Sequence, residues 1–194
     1  MEIKLNLNVT PRLVKEMGPE AIIVATGSLP PVPDFPVTEA ANVMSAWDVL
    51  SSDLAVGEKI VVVGGGAIGV ETADFLVARG KRVTILEAKD RIALDLDRTI
   101  RWIVLRRLHQ GKAVILTNTR PKRVIDGRVI VEAEEGEKEI FADMTVLASS
   151  PRPNNKLRGK LEDLVGEVYY VGDCVVPRTA LEAIREGYDA AGKI

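Results

Sequence analysis

Short continuous apolar runs alternate with longer amphipathic stretches along most of this chain. The short runs predict buried parallel strands and lie at 21–25 (AIIVA), 60–63 (IVVV) and 145–148 (TVLA). In 2–9 (EIKLNLNV) apolar and polar residues alternate with period two, which predicts a further strand. Strands separated by helical stretches are typical of an α/β fold with a parallel sheet.

Capping residues mark the ends of the predicted helices. Thr10 followed by Pro11 is typical of a helix N-terminus, and that helix is expected to end at Gly18. A longer helix is predicted for 97–110, and another from about residue 178 to the C-terminus. These helices occupy the amphipathic stretches between the predicted strands.

Three predicted strands follow one another closely in the second half of the chain. They lie at 122–125, 128–132 and 138–141, and the first turn between them is Asp126-Gly127. Asp-Gly between β-rich segments is a strong indication of a hairpin. We therefore predict an antiparallel three-stranded meander that interrupts the parallel sheet before 145–148 rejoins it.

The strand at 60–63 leads into a glycine-rich turn, then an amphipathic helix and a second strand at 83–86; the turn is Gly64-Gly65-Gly66-Ala67-Ile68-Gly69. Gly64 permits a sharp turn out of the strand, Gly66 lets the backbone approach a pyrophosphate, and Gly69 lets the helix lie close to the sheet. The first amides and the peptide dipoles of the helix favour an anion there. This βαβ unit predicts a dinucleotide site.

An acidic residue, Glu87, follows the second strand 18 residues after Gly69 (87 − 69), with Ala88 beside it. A carboxylate in this place can accept hydrogen bonds from both hydroxyls of an adenosine ribose and would repel a 2′-phosphate, so we expect NADH rather than NADPH. Lys89 and Arg91 lie close enough in sequence to weaken that preference. The alternative interpretation is a glycine-rich turn followed by a solvated glutamate.

The composition is that of a globular protein without a nucleic-acid stripe. Of the 194 residues 46% are hydrophobic and 28% charged, and 26 basic residues nearly balance 28 acidic ones. The strongest basic cluster is expected on the solvated face of the helix at 97–110, opposite an apolar face. The basic residues are Arg98, Arg101, Arg106 and Arg107, and the apolar ones are Ile100, Ile103, Val104 and Leu108.

The cysteine and histidine counts limit the chemistry further. The only cysteine, Cys174, allows neither an internal disulfide nor a Cys-x-x-Cys redox pair, and we expect it to be a small buried residue. With His109 as the only histidine, we expect no metal site. The sequence has no apolar stretch of membrane-spanning length and does not begin like a signal peptide, so we expect no membrane association and a cytoplasmic location.

These motifs resemble those of flavoproteins with two dinucleotide-binding domains, in which an NAD(P)H domain interrupts a flavin domain. The resemblance rests on VATG at 24–27, GGGAIGVE at 64–71, ILE at 85–87, SPRPN at 150–154 and VGD at 171–173. It is strongest to the C-terminal part of the NADH:flavin oxidoreductases of the old yellow enzyme branch, which includes 2,4-dienoyl-CoA reductase and trimethylamine dehydrogenase. AWDVL at 46–50 and GDCVVPRTALEAIREG at 172–187 match that branch.

The resemblance implies a pyridine nucleotide-disulfide oxidoreductase-like fold. A Rossmann-like NAD(H)-binding domain with the parallel sheet and the meander is expected at 46–150. Two parts of an incomplete FAD-binding lobe are expected at 1–45 and 151–194. The resemblance also implies that the chain is a fragment, and that the parent carries an FMN barrel, an iron–sulfur region and the first flavin motif upstream.

The resemblance assigns roles to residues outside the glycine turn. Asp173, after Gly172, would bind the ribityl chain of FAD, with a helix cap as the alternative, and Gly27 would allow close approach to FAD. Glu71 would lie near the nicotinamide, and a first-turn glutamate favoured by the helix dipole is the alternative. Ser150 stands where the family usually has glycine, and we expect its Cβ either to narrow the loop that faces the nicotinamide or to alter the backbone of that loop.

We therefore predict an NADH-binding module of a flavin-dependent oxidoreductase that passes hydride from NADH to FAD and onward to an upstream flavin domain. The cofactors carry this chemistry, so no catalytic side chain is expected, and the fragment alone is expected to be inactive. The alternatives are a non-catalytic dinucleotide-binding regulatory module and a docking module. A homodimer is also considered, because strand edges left open in a partial flavin lobe favour pairing between copies.

Overall fold

The computed structural model describes residues 2–51 and 57–194. The chain forms two compact units, one from Met1–Leu29 with Pro151–Ile194 and the other from Pro30–Ser150. The chain therefore leaves the first unit, completes the second, and returns to the first. The predicted functional division at 45/46 and 150/151 stays a prediction.

Apart from one short 3₁₀-helix at Gly172–Cys174, the described residues form five α-helices and twelve strands. In chain order they are α1 (Pro11–Met17), β1 (Ala21–Val24), β2 (Ser28–Leu29), β3 (Val43–Ser45), α2 (Ala46–Ser51), β4 (Lys59–Val63), α3 (Ala67–Ala78), β5 (Arg82–Leu86), α4 (Arg98–Gln110), β6 (Val114–Leu116), β7 (Arg120–Ile125), β8 (Arg128–Ala133), β9 (Gly136–Phe141), β10 (Met144–Leu147), β11 (Arg152–Pro153), β12 (Glu167–Tyr170) and α5 (Ala180–Ala191).

The larger unit contains a five-stranded parallel sheet in the order β3–β10–β4–β5–β6. Its central strands are mostly apolar because both faces of the sheet are covered. On one face Ile60 and Val62 of β4 pack against α3 and α4, which contribute Leu76 and Leu108 among others. On the other face Val61 and its neighbours pack against the antiparallel sheet β7–β8–β9. The predicted α/β class with a parallel sheet and a three-stranded meander is confirmed.

The smaller unit pairs β1 with β12 in parallel and β2 with β11 antiparallel. Its core contains Val14, Val24, Leu161, Val165 and Cys174. As predicted, α1 begins after Thr10, whose side chain accepts a hydrogen bond from the Leu13 amide, and ends at Gly18 in the left-handed conformation.

Some predicted elements differ in the structure. Residues 2–9 form no strand. The prediction was wrong because, among the residues that the structure describes, no surface covers the apolar positions, and Ile3, Leu5 and Leu7 are 68%, 80% and 45% exposed. Asn6 has φ 56°, which breaks the extended conformation. The strand at 21–25 is formed, but Val24 is its only buried residue.

The apolar face of α4 is narrower than predicted. Val104 and Leu108 are buried, whereas Ile100 and Ile103 are 49% and 38% exposed. The buried stripe of α4 is thus limited to Val104 and Leu108, and the residues at its margin stay in solvent. Within 2–51 and 57–194, no helix combines the length and the apolar character needed to cross a membrane.

Candidate functional site

The glycine turn lies at the carboxyl edge of the parallel sheet, where β4 passes into α3. Gly64 has φ 112°, and its amide donates a hydrogen bond to the Leu86 carbonyl oxygen at 2.9 Å. A Cβ on Gly64 would lie 2.7 Å from the Ala148 carbonyl oxygen. Both the backbone angle and the neighbouring chain therefore require glycine here.

Gly69 and Gly65 are the two positions in the turn where neighbouring atoms approach the Cβ position most closely. A Cβ on Gly69 would overlap the Gly64 carbonyl oxygen, so only glycine lets α3 start this close to β4. A Cβ on Gly65 would lie 2.9 Å from the Glu87 Cβ and would also collide with Ile92. The contact at Gly69 agrees with the close helix–sheet approach expected from the sequence, whereas no mechanical role was predicted for Gly65.

Gly66 is the glycine next to the first amide of α3. It precedes α3 as its N-cap residue, and a Cβ on it would point at Asp95, with 3.1 Å to Oδ2. Both Asp95 carboxylate oxygens accept a hydrogen bond from the Ala67 amide, at 2.8 and 2.9 Å. A negatively charged group therefore already occupies the first amide of α3, which is where a helix N-terminus favours an anion.

Asp95 was not predicted as a site residue. It lies in the irregular segment between β5 and α4, where no periodicity or spacing indicates a contact with a turn 28 residues earlier. The backbone of this segment is held by other groups, because Ile92 and Ala93 are buried and the Ala93 amide donates to the Gly65 carbonyl oxygen at 2.6 Å.

Glu87 lies directly beside the turn. One carboxylate oxygen, Oε2, accepts a hydrogen bond from the Gly65 amide at 2.7 Å, and the other, Oε1, accepts from the Lys89 amide at 2.8 Å. Each carboxylate oxygen has a second lone pair, so both can still accept from a ligand hydroxyl. Ala88, next to it, is exposed.

The remaining predicted residues of the larger unit are more scattered. Ile68 packs against the core beneath the sheet edge, and Glu71 is exposed on α3 one turn from its start. Ser150 is exposed shortly after β10, whose end is fixed because the Ala148 amide donates to the Val63 carbonyl oxygen at 2.8 Å. The structure thus brings Glu87 together with the turn, and leaves Glu71 and Ser150 at its margin.

In the smaller unit, the predicted residues lie at the carboxyl ends of the parallel pair β1 and β12. Gly27 and Gly172 both have φ 70°. The Asp173 carboxylate accepts a hydrogen bond from the Ser28 hydroxyl at 3.3 Å and another from the Arg178 amide at 3.1 Å. Asp173 is therefore linked to the segment that follows Gly27 and to the chain that leads into α5.

Two further residues support this edge. The Gly172 amide donates to Glu186 at 2.7 Å; that amide and then Arg178 hold the pKa of the Glu186 carboxyl below its ordinary value. Asn154 of the SPRPN motif donates from its backbone amide to the Gly27 carbonyl oxygen at 3.0 Å. Asn154 of the SPRPN motif is thus hydrogen-bonded to the VATG turn within the smaller unit.

The turn excludes a Cβ at Gly64, Gly65 and Gly69, lies at the carboxyl edge of a parallel sheet and already holds a carboxylate on the first helix amide, and these properties fit a dinucleotide. These features are typical of a Rossmann-like dinucleotide-binding fold. Residues 7–187 match the family model described as pyridine nucleotide-disulphide oxidoreductase, and the chain belongs to that family.

Three known proteins show how the chain relates to this family. A metal reductase of Desulforamulus reducens is 29% identical over 226 residues, covering 100% of this chain and 34% of the relative. An NADH oxidase of Thermoanaerobacter brockii is 30% identical over 200 residues, covering 100% and 31%. A solved 2-naphthoyl-CoA reductase, in complex with 2-naphthoyl-CoA, has a TM-score of 0.89 and 29% identity, covering 98% of this chain and 29% of that one.

The chain therefore spans about a third of the length of these relatives. The predicted resemblance to the NADH:flavin oxidoreductase branch is confirmed. Relatives named as reductases and oxidases also support the predicted class, the NAD(P)H-dependent flavoprotein oxidoreductases.

Proposed function

We propose that this chain is the NADH-binding module of a flavin-dependent oxidoreductase. The observation that carries the proposal is the turn from Gly64 to Gly69, where a Cβ is sterically excluded at Gly64, Gly65 and Gly69 and a carboxylate already accepts from the Ala67 amide. Backbone amides that hold one anion in this geometry suit the diphosphate of a dinucleotide equally well.

Each residue of the turn has a part in this binding. The amides of Ala67, Ile68 and Gly69 receive the diphosphate, and the missing side chain of Gly66 leaves room for it. Glu87, with Ala88 beside it, accepts hydrogen bonds from the adenosine ribose, and its charge disfavours the 2′-phosphate of NADPH. We therefore propose NADH as the preferred coenzyme.

The nicotinamide and flavin supply the hydride-transfer chemistry when they are bound. The chain positions them: Glu71 and Ser150 border the nicotinamide end, and Gly27, Gly172 and Asp173 contact FAD. Asp173 suits this role because its carboxylate is oriented by Ser28 and by the Arg178 amide. In this proposal 46–150 binds NADH, while 1–45 and 151–194 contribute to the flavin lobe.

The relatives are about three times longer than this chain. We propose that the additional length in the parent protein supplies the rest of the flavin lobe, an FMN barrel and an iron–sulfur region that accept the electrons. The chain alone is then expected to bind NADH without turnover. We also propose that the chain forms a homodimer. Measuring the molar mass of the protein in solution tests this, because a dimer has twice the mass of one chain.

The sharpest test of the coenzyme site is Gly66→Val. A valine there would project toward the anion position, so we expect NADH binding to be lost while thermal unfolding stays close to that of the parent. Gly187→Val is the matched control, because no heavy atom lies within 4 Å of a Cβ at that position. Equal NADH affinity in Gly66→Val and the parent, measured by calorimetry, would contradict the proposed site.

Flavin content separates the proposed enzyme from a regulatory or docking module. A chain extended upstream to the length of the relatives is expected to purify with a flavin absorption spectrum that NADH bleaches under anaerobic conditions. A colourless protein, or a flavin that NADH does not reduce, would contradict the proposed function.

A further inference from the structure

The Asp95 carboxylate occupies the position that the proposed function assigns to the coenzyme diphosphate. Both of its oxygens accept from the Ala67 amide, and it is the group that a Cβ on Gly66 would meet first. A diphosphate oxygen that accepts from the Ala67 amide would occupy the same position. The Asp95 carboxylate and the diphosphate therefore cannot bind this amide at the same time.

We propose that Asp95 is an internal competitor for the coenzyme: its carboxylate holds the start of α3 until the diphosphate displaces it, and it thereby lowers coenzyme affinity and favours release. This inference rests on the proposed function. It adds a residue that regulates occupancy of the site.

In the segment between β5 and α4, the Asp95 side chain can rotate away from the Ala67 amide while the backbone of the segment stays in place. Ile92 and Ala93 are buried, the Ala93 amide donates to the Gly65 carbonyl oxygen at 2.6 Å, and Arg101 Nε donates to the Ile92 carbonyl oxygen at 3.3 Å. None of these contacts uses the Asp95 carboxylate. Asp95 itself is exposed, so rotation of its side chain moves the carboxylate into water rather than into the core.

The neighbouring acidic residues hold other groups. Asp97 caps α4, where it accepts from the Thr99 amide at 2.8 Å, and Asp90 forms an exposed ion pair with Arg91 at 3.6 Å. Glu87 holds the Gly65 amide, which lies before the first turn of α3. Asp95 is thus the acid on this segment that accepts from the helix amide proposed to receive the diphosphate.

The experiment compares NADH and ADP-ribose, which carry the diphosphate, with adenosine, which lacks it. In Asp95→Ala we expect both diphosphate ligands to bind about threefold to tenfold more tightly, the scale of one displaced hydrogen bond, and adenosine to be unchanged. Asp95→Asn removes the charge but keeps an acceptor, so an intermediate gain is expected. Asp90→Ala is the matched control, because it removes the same charge from the same segment without freeing the Ala67 amide.

The outcomes separate this inference from the proposed function. If the parent binds NADH and Asp95→Ala binds it equally or more weakly, the carboxylate supports the turn and the competition is wrong, while the proposed function stands. If Asp90→Ala gives the same gain in affinity, the gain comes from removing any negative charge from this segment, and the inference is also wrong. If neither the parent nor Asp95→Ala binds NADH while both unfold cooperatively, both proposals fail. Binding by Asp95→Ala with none by the parent would support both.

Discussion

The Glu87 carboxylate accepts a hydrogen bond from the Gly65 amide at 2.7 Å, across 22 residues of sequence. Its second oxygen accepts from the Lys89 amide at 2.8 Å. The residue proposed to contact the adenosine ribose therefore also fixes the glycine turn against the end of β5. Substitutions at this position change the shape of the turn and the charge beside the ribose together, so the two effects need separate variants.

We predict that Glu87→Arg moves the coenzyme preference toward NADPH by about 1–3 kcal/mol, the scale of one hydrogen bond to a charged group. Glu87→Gln keeps an acceptor for the Gly65 amide and removes the charge, so it is expected to weaken the preference for NADH without reversing it. The ratio of the dissociation constants for NADH and NADPH, determined for each variant, measures the coenzyme preference.

A control for charge reversal is Glu39→Arg, at an exposed acid between β2 and β3. It is expected to leave the ratio of the two dissociation constants unchanged. A ratio that also stays constant in Glu87→Arg would show that Glu87 does not contact the ribose.

Gly69→Ala is predicted to destabilise the larger unit by about 1–3 kcal/mol or more, the usual range for overpacking. The reason is that its Cβ would overlap the Gly64 carbonyl oxygen, and this forces α3 away from β4. Urea unfolding followed by circular dichroism measures the loss.

The matched control for Gly69→Ala is Gly187→Ala, in the middle of α5. A Cβ there meets no heavy atom within 4 Å, and alanine is a better helix former than glycine, so a gain of about 0.5–1 kcal/mol is expected. If both variants were stabilised, close approach at Gly69 would not be the reason for glycine there.

The glycine turn could be predicted from sequence because its requirements are local. The positive φ of Gly64 and the close approach at Gly69 exclude other residues at fixed spacing, and the apolar run at 60–63 fixes the strand before them. The meander was predictable for the same reason, since Asp126-Gly127 sits between β-rich segments and its glycine has φ 67°.

Elements that depend on distant contacts could not be predicted. β3 has only three residues, of which Ser45 alone is buried, and it becomes a strand because β10 pairs with it. Residues 2–9 have a strand-like alternation but no neighbouring strand within the described residues, and they stay irregular. The contact between Asp95 and Ala67 joins a loop to a turn and leaves no periodic signal.

Acid sensitivity of the smaller unit is predicted from Glu162. Its own backbone amide, the Gly159 amide and the Tyr170 hydroxyl lower the pKa of the Glu162 carboxyl from 4.5 to about 2. A carboxyl whose pKa is lower in the folded state stabilises the fold at pH above 4.5, and this contribution is lost as the pH falls from 4.5 toward 2. Thermal unfolding of the parent should therefore shift to lower temperature across that range.

Glu162→Gln should lose less stability than the parent over the same pH range, because it has no carboxyl to protonate. Asp163→Asn removes a charge one residue away and serves as the control, with the pH dependence of the parent expected to persist. Identical acid profiles for the parent and Glu162→Gln would show that other carboxyls determine the sensitivity.

Chemical modification of Cys174 is predicted to report opening of the smaller unit. Cys174 is 1% exposed, and its Sγ lies within hydrogen-bonding distance of the Val24 and Val171 carbonyl oxygens, at 3.2 and 3.1 Å. Alkylation needs an accessible thiolate, so the native chain should react with iodoacetamide at least about tenfold more slowly than an exposed thiol. The double variant Cys174→Ala, Asp163→Cys supplies that exposed thiol on the same unit.

Mass spectrometry of samples taken across a urea series measures the rate of this modification. Because Val24 and Cys174 belong to one core cluster, the thiol becomes accessible only when β1 separates from the segment after β12. The rate should therefore rise with urea along the unfolding curve of the smaller unit. Modification in native buffer as fast as that of the exposed thiol would mean that this cluster opens without unfolding, and that the edge carrying Gly27 and Asp173 is not rigid enough to position a flavin.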